Sequence, residues 1–171
     1  MRTSDNIPLH IGDIKAQAHE AQNSPEAKEK ILTLIHSDNA IEARNAAWVM
    51  THFCDKEIRL MSDRHDEFID LAMTTSNSSL RRLMLNIVER QDIREEDLRS
   101  DFLDFCLTHM ASPAEEPGTQ SLCMKLAYKQ CKFFPELLVE FKSTLEMMED
   151  GYATCIQSLR KKFLKTLQLR P

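Results

Sequence analysis

The chain has 171 residues, 42% hydrophobic and 29% charged, with 27 acids against 22 Lys and Arg for a net charge of -5. Such a make-up belongs to a folded domain with a core of its own and excludes a disordered segment. Only 3 Gly and 6 Pro occur, and Val is scarce beside Leu, Met, Ala, Glu and Lys, so the composition favours helices and starves a β-sheet.

The charge is unevenly spread. Residues 1–150 hold 17 bases and all 27 acids, whereas residues 151–171 hold five bases (Arg160, Lys161, Lys162, Lys165, Arg170) and no acid. An acidic body of this kind is a poor general ligand for phosphate backbones. The five cysteines (Cys54, Cys106, Cys123, Cys131, Cys155) are an odd number without framework spacing. Most sit at apolar positions of helical patterns, where a free thiol packs as a small hydrophobe. The expectation is a reduced, cytoplasmic protein. The first residues lack the apolar stretch of a signal peptide, and no window approaches the ~18 apolar residues of a membrane span.

Residues 1–7 read as a loose lead-in, and a first helix is expected from near Pro8 through Ile11, Ile14, Ala18 and Ala21. Ser24-Pro25 is a helix start signal, an N-cap followed by proline at the first helical position. The helix that follows is expected to bury Ile31, Leu34 and Ile35. Asn39 then caps a helix running to about Cys54, with Glu42 placed for a capping box. Asp55-Lys56-Glu57 reads as a turn, and the next helix carries Phe68, Leu71 and Ala72. After a polar break at residues 74–79 come a helix from about Leu80 to Arg90 and one from about Glu95 to His109. The break at residues 111–118 contains two prolines and two glutamates, which will not extend a helix. Helices over about 119–132 and 135–150 follow, the latter with Leu138 and Phe141 on its buried face. A last helix is expected over about 152–168, its bases on an outer face that suits a capping element.

Two patterns recur along this chain with the same spacing. Ala43, Ala46, Ala47 and Met50 shifted by 37 positions meet Leu80, Leu83, Met84 and Ile87, and a further 39 turns Leu83, Met84 and Ile87 into Leu122, Cys123 and Leu126. Independently, Ile31, Leu34 and Ile35 shifted by 37 meet Phe68, Leu71 and Ala72, and a further 34 meets Phe102, Phe105 and Cys106. Self-similarity at such a period marks stacked helix pairs. Ala46, Ala47, Leu83, Met84, Leu122 and Cys123 are therefore predicted to be buried between helices.

The segment IEARNAAWVM behind Ser37-Asp38-Asn39 resembles the first helix of a HEAT repeat, in particular the short bacterial type of phycobilisome-lyase-like chains. There an acidic or polar turn precedes Val-Arg, a pair of alanines and an aliphatic residue. ILTLIHSDN before it and SLRRLMLNIVER after it are similar to neighbouring pieces, and Gln120 stands where Arg44 and Arg81 do. The resemblance covers roughly residues 8–168. It implies an all-α fold, a right-handed α-α superhelix of about four helix pairs (8–37, 39–74, 78–110, 118–150) with a capping helix at 152–168, all in one domain. It also implies that second helices line a concave side. The Trp-x2-Leu-Gly-x2-Tyr signature of tetratricopeptide arrays does not occur.

Catalytic signals are missing. There is no Gly-rich phosphate loop, no Gly-x-Ser-x-Gly elbow and no framed Cys–His pair. The signature loop of fumarase-type lyases is also absent. The six histidines (His10, His19, His36, His52, His65, His109) form no metal spacing, since His52 and Cys54 point to different sides of a helix. His36 and His109 fall in last helical turns, where a cation favours the dipole. Trp48, whose shifted partners are Leu85 and Met124, reads as a packing position rather than a stacking platform. No catalytic residue, cofactor or metal is therefore expected.

The acids of the second helices carry more information. Asp63, Asp66 and Asp70 lie opposite Phe68, Leu71 and Ala72. The shift of 34 carries Asp70 onto Asp104 and Asp63 onto Asp97, and a further 36 carries Asp104 onto Glu140. First-turn acids such as Glu26, Asp63, Asp97 and Glu136 stabilise the helix dipole, whereas Asp70, Asp104 and Glu140 lie beyond its reach. Asp66, Asp70, Asp104 and Glu140 are the candidate partner-binding residues. The leading function is a non-catalytic module that binds a protein or peptide, a basic one if the acidic stripe does the work. The alternative is a nucleic-acid-binding protein like the HEAT-like DNA alkylation glycosylases, for which only the basic last helix speaks.

Overall fold

The computed structural model describes residues 10–148 and 151–168; Pro8, where the first helix was expected to start, and Asp150, where the fourth unit was expected to end, lie outside them. Among the described residues are ten α-helices, two 3-10 turns and no strand. The helices are α1 (Ile11–Asn23), α2 (Pro25–Leu34), α3 (Ala40–Thr51), α4 (Asp55–Leu60), α5 (His65–Thr74), α6 (Ser78–Arg90), α7 (Ser100–Ala111), α8 (Pro117–Cys131), α9 (Pro135–Met147) and α10 (Thr154–Gln168). The 3-10 turns are Ser62–Arg64 and Glu95–Asp97.

Local chemistry accounts for the starts. Ser24 Oγ accepts from the Ala27 N–H at 3.2 Å, with Pro25 at the first helical position. Asn39 Oδ1 accepts from the N–H groups of Ile41 and Glu42, and Asn77 Oδ1 from that of Leu80. The capping box expected between Asn39 and Glu42 closes through a relay. Asn39 N–H donates to Ser37 Oγ at 3.1 Å, and that hydroxyl donates to the Glu42 carboxylate at 2.7 Å.

The chain forms two compact units, unit 1 over Met1–Gln91 and unit 2 over Asp92–Pro171. In unit 1, α2 packs on α1 and α3, α3 on α1 and α6, and α5 on α6. In unit 2, α8 packs on α7, α9 and α10, while α9 also meets α7 and α10. All six residues predicted between helices, Ala46, Ala47, Leu83, Met84, Leu122 and Cys123, are buried.

The second helices bury a slightly rotated face. Ile31, Leu32 and Ile35 are buried in and just after α2, Phe68, Ile69 and Ala72 in α5, and Phe102, Leu103 and Cys106 in α7. Leu34, Leu71 and Phe105, expected inside, are half-buried at the edge. α2 packs on both α1 and α3, and α7 on both α8 and α9, which widens their buried arcs toward residues adjacent in sequence. Leu138 is likewise half-buried, and Phe141 and Leu145 fill the α9 core.

Two further expectations are corrected. Asp55-Lys56-Glu57 is the first turn of α4, whose Ile58 is fully buried; a single apolar anchor in six residues leaves no periodicity to read. The helix expected from Glu95 starts at Ser100, because Asp97 accepts from the Arg94 N–H and closes a separate 3-10 turn.

Candidate functional site

Side chains of α6, α8 and α10 tie the ends of the helices that precede them. Arg81, on α6, donates from Nε to the Ala72 carbonyl at 3.2 Å and from Nη2 to the Thr75 carbonyl at 2.6 Å, at the C-terminus of α5. Gln120, in the corresponding place on α8, donates to the Ser112 carbonyl at 2.7 Å, at the C-terminus of α7. Arg160 on α10 donates to the Leu145 and Glu146 carbonyls of α9. These carbonyls are among the orphan acceptors that every helix leaves at its C-terminus. Arg160 is thus a repeat position turned inward, and the outer face of the last helix is made by Lys161, Lys162 and Lys165, all exposed.

In unit 1 the acids of α5 border an open cleft of about 440 Å³ lined by His36, Glu67, Asp70, Leu71 and Thr74. His36 Nε2 and Glu67 Oε1 stand 2.7 Å apart across it. Arg64 bridges the same Glu67 and Glu29 of α2. Half-buried Leu71 supplies an apolar patch beside the carboxylates. Asp70 is the sequence candidate among the lining residues, and Asp66 is exposed one turn earlier on α5. Glu67 went unrecognised in the sequence, although its spacing of three from Asp70 puts both on one face.

In unit 2, Asp104 on α7 and Glu140 on α9 are both exposed. Beside Asp104, the Asp101 carboxyl is held below the usual carboxylate range by its hydrogen bond to Arg99. Glu140 lies near Cys131, whose thiol is pushed up to about 12 by burial and then by that carboxylate. Burial sets the register between the two helices. Phe141 and Leu145 match Phe102 and Cys106 at a shift of 39, so the burial pattern aligns Glu140 with Asp101.

Leu85 and Met124 are fully buried, while Trp48, their counterpart on α3, is half-buried. His109 packs on Phe105 with ring centroids 4.0 Å apart, and its Nδ1 meets the Glu115 carboxylate. Cys106, Cys123 and Cys131 are buried thiols, whereas Cys54 and Cys155 are exposed. Among the described residues no group of three or more His, Cys, Asp or Glu is placed to hold a metal ion.

Helix pairs whose ends are tied by a recurring Arg or Gln define a helical-repeat scaffold. The family model of the HEAT repeat domain matches residues 2–167, and the chain belongs to that family. No curated protein and no solved structure matches it. Among the described residues no helix is long and apolar enough to cross a membrane.

Proposed function

We propose that the chain is a non-catalytic binding module whose second helices capture a Lys/Arg-rich protein or peptide segment. One observation carries this reading: the carboxylates of Asp70 and Glu67 and the half-buried side chain of Leu71 line one open cleft on α5. Asp104 on α7 and Glu140 on α9 are likewise exposed. A lysine or arginine lays its aliphatic stem on an apolar surface and keeps its charged head near carboxylates and water, which suits these surfaces. The cleft beside Asp70 and Glu67 offers such a seat in unit 1. Asp70, Asp104 and Glu140 lie beyond the first turns of their helices, so the helix dipole does not reward them.

The test is binding of a labelled lysine-rich peptide at two salt concentrations, read by fluorescence anisotropy. In the variant Asp70→Asn, Asp104→Asn, Glu140→Gln the helical circular dichroism is expected to be unchanged. Affinity and its salt sensitivity are both expected to fall, because the interaction is between screened surface charges. Unchanged affinity and salt dependence in the triple variant would make the acids a solvated face only. Tighter binding of a DNA duplex than of the peptide would favour the nucleic-acid alternative.

A further inference from the structure

Unit 2 carries opposite charges on its two helix layers. The layer of α7 and α9 shows Asp101, Asp104, Glu136 and Glu140 to solvent. The layer of α8 and α10 contains no acid, either in residues 117–132 or in residues 151–168. On α8, Lys125 and Lys129 are half-buried, and Lys132 just beyond it lies over the Phe133 ring. On α10, Lys161, Lys162 and Lys165 form a fully exposed row. Phe163, buried against Tyr128 with the rings 4.8 Å apart, fixes the inner side of α10 and leaves that row outside. Arg160 is withdrawn from the row to cap α9.

The three lysines of α10 repel one another, and residues 151–168 hold no acid. This row offers no outward arginine fork for a phosphate. Nor does it offer an exposed aromatic platform for bases, since Phe163, the aromatic of α10, is buried. Carboxylates are the better complement, and this chain displays them on the opposite layer. That acidic layer also leaves two large apolar side chains in water, Val139 at 69% and Met147 at 70% exposure. Both lie on α9 beside acids, Glu140 and Glu146 respectively.

We propose that the exposed lysine row of α10 docks onto the acidic second-helix face of another copy of the chain. This inference rests on the cationic-partner reading above and names that partner. The contact joins two different surfaces, so it leaves one free face on each end of a pair and propagates unless its rotation closes a ring. Its strength is electrostatic and is expected to fall about tenfold or more as the Debye length shrinks from ~30 Å at about 0.01 M salt to ~8 Å at about 0.15 M.

Sedimentation of the full chain tests this. At the lower salt the average mass should rise with protein concentration, and at the higher salt it should return toward a single chain. The variants Lys161→Glu, Lys162→Glu, Lys165→Glu and Asp104→Lys, Glu140→Lys should each stay single, since the first makes the α10 row acidic and the second cancels the charge of the acidic face, where Asp101 and Glu136 remain. An equimolar mixture of the two should associate again. A wild type that stays single at low salt overturns the proposal, as does association that ignores salt or a mixture that fails to regain it. Should either variant lose its helical signal, the salt titration of the wild type decides. If the wild type stays single while the lysine-rich peptide still binds in a way that Asp70, Asp104 and Glu140 control, the self-docking idea falls and the cationic-partner reading stands. If neither occurs, both fall.

Discussion

Arg81, Gln120 and Arg160 do one job with two kinds of side chain. Each donates to carbonyls left open at the C-terminus of the preceding helix. An arginine brings a charged, forked donor, whereas a glutamine brings a neutral one. Hydrogen bonds from charged groups are worth about 1.5–3 kcal/mol and neutral ones about 0.5–1.5 kcal/mol. Arg81→Ala should therefore cost more stability than Gln120→Ala in urea unfolding. The reverse order would mean that these contacts do not hold the helix ends.

The thiols give a second test at this scale. Cys54 and Cys155 are exposed and the other three are buried, so native protein should titrate two thiols with a thiol reagent and five after denaturation. Burial raises the thiol of Cys131 to about 12 and that of Cys106 well above the ordinary thiol range. A folded pKa above the unfolded one means that the unfolded chain releases these protons first. The thiols' contribution is thus fully present below about pH 9 and is lost as pH rises toward 12. Unfolding measured between these limits should show falling stability, with a shallower slope in Cys131→Ala. An equal slope in that variant would show that other groups drive the loss.

Among the elements, first helices were more legible than second helices. In α3, α6 and α8 the buried positions repeat at one spacing because each helix packs within a crowded layer, and the six predicted interior residues are all buried. The second helices bury adjacent pairs such as Ile31-Leu32, Phe68-Ile69 and Phe102-Leu103, an arc set by the helices that pack against them. Leu83→Ala removes a buried side chain of α6 and should cost ~2–5 kcal/mol. Leu169, expected to lie beyond the last helix, falls outside the described residues. Leu60 of α4, at 65% exposure, is the better control, and Leu60→Ala should cost far less. Equal losses in thermal unfolding would mean that the interior of unit 1 is wrongly drawn.

For the whole molecule, the division falls between Gln91 and Asp92. The segment that follows carries exposed Asp92, Arg94, Glu95 and Glu96 around a short 3-10 turn. Exposed backbone with little packing opens at low cost, so brief trypsin treatment should yield a pair of stable fragments that meet near Arg94, identified by mass. A first pair meeting at Lys132 would show that α9 and α10 detach before the units part.

The sequence by itself determined the helical class, the helix-pair repeat and most helix starts. Each rests on local chemistry or on a periodicity that survives translation along the chain, as with Ser24-Pro25, Asn39 and the shift from Ala46 to Leu83. It also named Gln120 as the counterpart of Arg81 without saying what either side chain holds. Tertiary structure decided that both reach carbonyls six to eight residues back, because the end of one helix and the start of the next meet only in the folded pair. It decided that Glu67 and His36 share the cleft with Asp70, since they lie on helical segments 31 residues apart. It also turned Arg160 inward among its lysine neighbours. A run of like charges reads the same in sequence whichever way it faces; only the carbonyls at the end of α9 select the one residue that leaves solvent.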